Sequence, residues 1–243
     1  MANAEADLRE QVATLTRIFA MRGLLGVHGH ISAYAPEIGR IFMSPGLGSD
    51  KPTARAEDLF VFDVQGHILE GEGRRPPLEW PIHTAIHAAR PDARAVAHLH
   101  APYATLFAVG QREYRPVLLA ARWFAGGLKV YTEPHLITTP ERGQRVTELL
   151  GDDAALLLRA HGIVVAANSL QELLYISVTL EDNARAAVQA AALGQLDFLG
   201  PEDFQDEDPG ATTSIRARLV WDYFARLEAR WDRQPPFGVG ALG

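Results

Sequence analysis

The 243-residue sequence contains no cysteine. Disulfides, thiolate metal sites and cysteine nucleophiles are therefore excluded, and any metal must be held by nitrogen and oxygen. Basic residues are outnumbered, 23 Lys and Arg against 30 Asp and Glu, for a net charge of −7. Nucleic-acid binders carry the opposite balance, so no nucleic-acid partner is expected. No apolar run reaches the ~18 residues that a membrane span requires, which argues against a membrane partner. The opening stretch, "MANAEADLREQVATLTRIFAMRG", carries acidic residues and an interrupted helical period. It lacks the basic and apolar regions of a secretory signal, so a cytoplasmic protein is expected.

What is present is ordinary for a globular chain, with 47% hydrophobic and 22% charged residues. No repeat and no linker divides it, so residues 1–243 are expected to form one α/β domain. Leu8, Val12, Leu15, Ile18 and Phe19 recur at helical spacing over 5–22. "GLLGVHGHISAY" and "RIFMSPG" read as short strands joined by a turn at 35–39, and "LFVFDVQGHILEG" as a hairpin turning at Gln65 and Gly66. Helices are expected over 79–90, from Pro102 to 109, from Pro140 to about 150, over 169–193 and over 213–231. Strands are expected over 94–100 and 128–131, with two more in "AALLLRAHGIVVAA" on either side of His161 and Gly162. The acidic segment 195–212 reads as a loop and 232–243 as a loose tail. The strands are short and mostly antiparallel.

The stretch "AVAHLHAPY" poses the functional question. Residues i and i+2 of a strand share a face, so His98 and His100 can converge on one point. They are either satisfied by their surroundings or two ligands of a divalent metal completed from elsewhere. His161 follows one apolar strand and precedes another, where a third ligand could meet them. Glu79 stands at an expected helix N-terminus. It is either a favourable charge at the helix dipole or, with three nitrogens nearby, a fourth ligand or acid/base.

In order and spacing, "GHIS", "MSPG", "LEWPIH", "ARPDARAVAHLHAPYATLFA" and "LLLRAHGIVVAANSLQELL" resemble the class II aldolase/adducin family over about residues 7–195. The resemblance implies a three-layer α/β/α fold with a central, mainly antiparallel sheet between helices, assembled as a homotetramer. It implies one divalent ion per subunit, Zn, Mn, Co or Fe, on His98, His100 and His161. Glu79 then matches the family carboxylate that serves both metal and proton transfer.

The departures from the sugar-phosphate aldolases bear on substrate. Those enzymes read Gly-Asn-x-Ser in the first loop and place Ser-Ser before the carboxylate. Here the loop is Gly29, His30, Ile31 and Ser32, and Pro77 and Leu78 precede Glu79. A phosphate would lose several charge-assisted hydrogen bonds of roughly 1.5–3 kcal/mol each. The aldolases' tyrosine acid also has no match; its place falls near Ala120. The Gly-His-x-Ser loop resembles the branch of metal-dependent decarboxylases acting on hydroxylated aromatic acids, such as dihydroxyphthalate and hydroxymethylpyridine-dicarboxylate. The expected function is thus a carbon–carbon lyase that decarboxylates a small aromatic or heteroaromatic hydroxy acid. The alternatives are an aldolase for a non-phosphorylated hydroxy-keto acid or sugar, and a non-catalytic adducin-like interaction module.

Expected substrate contacts are Gly29, His30, Ser32, Ser44 and Gly46, with His30 also a candidate for proton transfer. The competing roles are strand capping for His30 and a turn position for Ser44. His83, one helical turn after Glu79, is a candidate partner behind it, and His87 continues that face. His28 reads as a solvated loop residue or half of a second pair. Trp123 reads equally as packing or as a substrate neighbour.

Overall fold

The computed structural model describes residues 2–110, 112–204 and 209–231. Its first helix, α1 (Ala2–Met21), buries Val12, Leu15, Ile18 and Phe19 at the spacing seen in the sequence. Strands β1 (His30–Ala35), β2 (Arg40–Met43), β3 (Phe60–Phe62) and β4 (Ile68–Glu70) form an antiparallel meander. Helix α2 (Trp80–Ala89) leads into β5 (Ala95–Leu99), and α3 (Ala104–Val109) follows. Then come β6 (Val130–Tyr131), α4 (Pro140–Leu150), β7 (Ala155–Leu158), β8 (Gly162–Ala167), α5 (Leu170–Ala190) and α6 (Pro209–Glu228).

The eight strands of the described residues join one sheet in the order β4-β3-β2-β1-β5-β8-β7-β6. Only the β6–β7 pair is parallel, because α4 carries the chain back across the sheet between them. Strands β7 and β8 are apolar throughout, since both faces are covered. Ala95, Ala97 and Leu99 of β5 turn toward the layer of α1, α3 and α5. Val96 turns the other way, where Ile82 and Ile86 of α2 meet Val146 and Leu150 of α4. The result is the expected three-layer α/β/α arrangement.

Several boundaries differ from expectation by a few residues, among them strand 128–131, which is Val130–Tyr131, and the last helix, which ends at Glu228. Strand β5 stops at Leu99, so His100 lies just beyond it. The last helix begins at Pro209 rather than at 213, since a proline fits the first helical turn, where its missing N–H has no partner to lose. Within the expected 195–212 loop, Pro201–Phe204 forms a 3-10 turn. Residues 205–208 and the 232–243 tail lie outside the described residues.

Candidate metal centre

Strand alternation that sends Ala97 and Leu99 into one layer sends His98 toward α2, where it is fully buried. His98 Nδ1 donates to the Ile163 carbonyl of β8 at 3.1 Å, which turns Nε2 the other way, toward Glu79. His100 follows at the strand end, and its backbone N–H donates to Leu24 O. His161 closes the tight turn between β7 and β8, its N–H donating to Leu158 O at 3.1 Å. Ala160 before it is the sole non-glycine with positive φ (55°) among the described residues, a strained conformation of the kind that gathers at functional sites.

The three imidazoles form a nearly equilateral group, with ring centroids 4.8 to 5.1 Å apart and edges facing. Their ligand atoms lie within 4.8 Å of one another. The Nε2 atoms of His98, His100 and His161 are buried and have no hydrogen-bond partner. Burial, and next the neighbouring His98, draw the His100 ring down to about 3, so it is neutral at physiological pH. Three converging imidazole nitrogens without hydrogen-bond partners are costly to bury, and a cation between them would satisfy all three.

Glu79 occupies the N-cap position of α2, yet its side chain caps nothing. Its Oε2 lies 3.3 Å from both His98 Nε2 and His161 Nε2, while Oε1 accepts the Ile137 N–H at 2.8 Å. Burial alone would raise this carboxyl. The His161 and His98 rings outweigh it and hold the group well below the ordinary carboxylate range. The donor set of three imidazole nitrogens and one carboxylate suits a divalent ion such as zinc, manganese, cobalt or iron.

Behind this group runs a second line of polar side chains. His30 and Ser32 share a face of β1, and His83 and His87 share a face of α2. His30 Nδ1 is 2.6 Å from His83 Nε2, and His83 Nδ1 is 2.7 Å from Ser32 Oγ. Ser32 Oγ is 2.8 Å from His87 Nε2, and His87 Nδ1 is 2.7 Å from the Ala93 carbonyl. Burial lowers all three histidines, His87 to about 4. Glu79, His83 and His87 thus form one stripe along α2 that faces the sheet.

Of the expected substrate contacts, His30 and Gly29 reach the site's cavity, together with Glu79. Gly29 has φ +82°, and a Cβ there would stand 2.9 Å from His98 O, so only glycine lets the chain turn this close to the histidine strand. Gly46 has no such cavity contact; its Cα packs where a Cβ would meet the Arg75–Pro77 backbone at 2.8 Å. The serines lie deeper than the sequence implied. Ser32 Oγ sits between two histidines, and Ser44 Oγ accepts the Ile31 N–H at 2.9 Å. Both are fully buried.

The cavity, of about 210 Å³, is rimmed by Val27, Leu47, Leu78 and Leu136, which are 48 to 61% exposed. One residue at its back escaped the sequence reading. Lys51 is buried, and its Nζ donates to the carbonyls of Gly26 and Val27, fixing the entry to the Gly29 turn. A lysine in "SDKPT" gives no sequence sign of burial. His28 is exposed and stacks on His100 with centroids 5.3 Å apart. Trp123 packs edge-on against Tyr175. A larger cavity, about 920 Å³, is lined by Trp123, Glu172, Arg218 and Trp221, and none of the candidate metal ligands or substrate contacts reaches it.

The chain is similar to known proteins over most of its length. A model described as the class II aldolase and adducin N-terminal domain matches residues 10–188. The chain is 29% identical over 239 residues to a 3,4-dihydroxyphthalate decarboxylase of Arthrobacter keyseri, covering 93% of this chain and 96% of that protein. It is 31% identical over 226 residues to the enzyme of the same name from Rhodococcus jostii, covering 88% and 92%. Among solved structures, L-fuculose 1-phosphate aldolase from Glaciozyma antarctica superposes with a TM-score of 0.78 over 93% of this chain and 91% of that one, at 22% identity, a likeness of fold. With its sheet order, its histidine cluster and a match spanning most of its length, the chain belongs to the class II aldolase/adducin family.

Proposed function

We propose that the protein is a divalent-metal-dependent carbon–carbon lyase that decarboxylates a small hydroxylated aromatic or heteroaromatic carboxylic acid. The observation that carries this is the convergence of three buried, unpartnered Nε2 atoms beside the Glu79 carboxylate. His98, His100, His161 and Glu79 would hold the ion. When bound, it supplies a Lewis acid for charge developing on a substrate oxygen next to the breaking bond.

The chain's own residues do the rest. The apolar rim of Val27, Leu47, Leu78 and Leu136 takes an aromatic ring and excludes water around it. Gly29 and His30 form the wall on the substrate side. Ser44 and Gly46 support that wall from behind, Ser44 through Ile31 and Gly46 through the segment before Leu78. Glu79 or His30 moves the proton that replaces CO₂ on the ring carbon. His83 stands behind His30 and orients it. The similarity to two proteins named as dihydroxyphthalate decarboxylases supports the aromatic class. As part of the same proposal, the enzyme works in aromatic-compound catabolism in the cytoplasm. It does so as a homotetramer, which would cover exposed apolar side chains such as Ile215 and Leu219. No helix among the described residues is long and apolar enough to cross a membrane.

The test is a CO₂-release assay over a panel of hydroxylated aromatic acids. Turnover should vanish with EDTA and return with Mn²⁺, Co²⁺ or Zn²⁺. Turnover that survives complete chelation would overturn the mechanism. An aldehyde product in place of CO₂ would identify an aldolase, and purified protein that never takes up metal would identify a non-catalytic module.

A further inference from the structure

The four side chains behind the metal centre form a hydrogen-bond chain with only one possible direction. Its inner end is the Ala93 carbonyl, which can only accept, so His87 Nδ1 carries a proton. A neutral His87 then offers a lone pair at Nε2, and the Ser32 hydroxyl must donate to it. A hydroxyl has a single hydrogen. Toward His83 Nδ1, therefore, Ser32 Oγ can only accept, and His83 carries its proton on Nδ1. His83 Nε2 is left as a lone pair, which His30 Nδ1–H fills at 2.6 Å. Each step removes one of two tautomers from the next ring.

The geometry points to a tautomer relay: Ala93, His87, Ser32 and His83 fix His30 as its Nδ1–H form, with the Nε2 lone pair available in the cavity it shares with Glu79. His83, Ser32 and His87 are positioning residues, since they act through His30. The relay is buried along its length; His83 and Ser32 are fully buried, His87 is 2% exposed and His30 5%. Water cannot scramble the order of donors there. A proton taken at His30 Nε2 could pass along this chain no farther than His87, since the Ala93 carbonyl beyond it accepts none, and burial disfavours charge on that ring. The proton stays available for return to the substrate. This inference rests on the proposed part of His30 in proton transfer, but the tautomer itself can be observed without any substrate.

The experiment is long-range ¹H–¹⁵N correlation on full-length protein labelled with ¹⁵N-histidine, with and without added zinc, the His30 signals being assigned by their loss in His30→Gln. The wild type should show His30 protonated at Nδ1 and bare at Nε2. Ser32→Ala, checked for fold by circular dichroism, should lose that single-tautomer signature. It should also lower kcat at least about tenfold with little change in KM, and Ser32→Thr, which keeps the hydroxyl, should restore both. A wild-type His30 protonated at Nε2, or a Ser32→Ala protein that keeps the signature, would overturn the relay. Should Ser32→Ala not fold, the wild-type spectrum decides alone. Should the signature stand while no acid yields CO₂, the relay survives and the decarboxylase proposal falls.

Discussion

His30 and His98 are direct cross-strand partners in the β1–β5 pair, with ring centroids 5.2 Å apart. The register of one antiparallel ladder thus sets a candidate proton-transfer group beside a candidate metal ligand. Both rings face α2, the helix that brings Glu79.

Removing one corner of the imidazole triangle should cost metal and little else. His161 sits in a turn with its side chain 12% exposed, so His161→Ala should keep its circular dichroism spectrum. Its affinity for a divalent ion should fall by more than about tenfold, the least that loss of even a supporting contact costs at such sites. Metal content by mass spectrometry after dialysis at graded free zinc reads this directly.

Acid should unfold the protein through its buried neutral histidines. Burial holds His87 down to about 4, whereas in the unfolded chain the ring takes its proton near 6.5. Between those values the unfolded state binds the extra proton. The stability is therefore complete above about pH 6.5 and is lost as pH falls toward 4. This ring alone accounts for about 3 kcal/mol, and burial of His30 and His83 acts in the same direction. Urea midpoints measured from pH 7 to 4.5 should drop steeply in the wild type and less steeply in His87→Gln, whose amide can still bond Ser32 and Ala93.

Leu78 is 55% exposed at the cavity rim, where the sugar-phosphate aldolases carry a hydroxyl. Covering the rest of a leucine with an aromatic ring is worth about 1 kcal/mol. Leu78→Ser should accordingly raise KM for the aromatic acid roughly fivefold while leaving kcat and thermal stability unchanged. An unaltered KM in steady-state assays would place the ring elsewhere.

Much of this was legible in local pattern. The i and i+2 spacing of His98 and His100 pointed to a shared target, although β5 ends at Leu99 and His100 arrives from the strand terminus rather than from the pleat. Glu79, His83 and His87 at helical spacing pointed to one stripe. What stayed hidden depends on pairing between distant segments. The position of His30 opposite His98 is a matter of register, which no single strand encodes. Ser32 read as a loop residue open to substrate because β1 was not known to start at His30; once the strand begins there, the pleat turns Ser32 toward α2. Lys51 was invisible for the same reason, its burial depending on carbonyls of the loop before β1.

The four candidate ligands come from the start of α2, the end of β5 and the β7–β8 turn, segments that meet only when the sheet is complete. An ion seated among them would act as a clasp on the whole tertiary structure. Saturation at a hundred times its dissociation constant would add about 2.7 kcal/mol against denaturation. Cells short of the proper ion would then lose not only turnover but also the lifetime of the polypeptide itself.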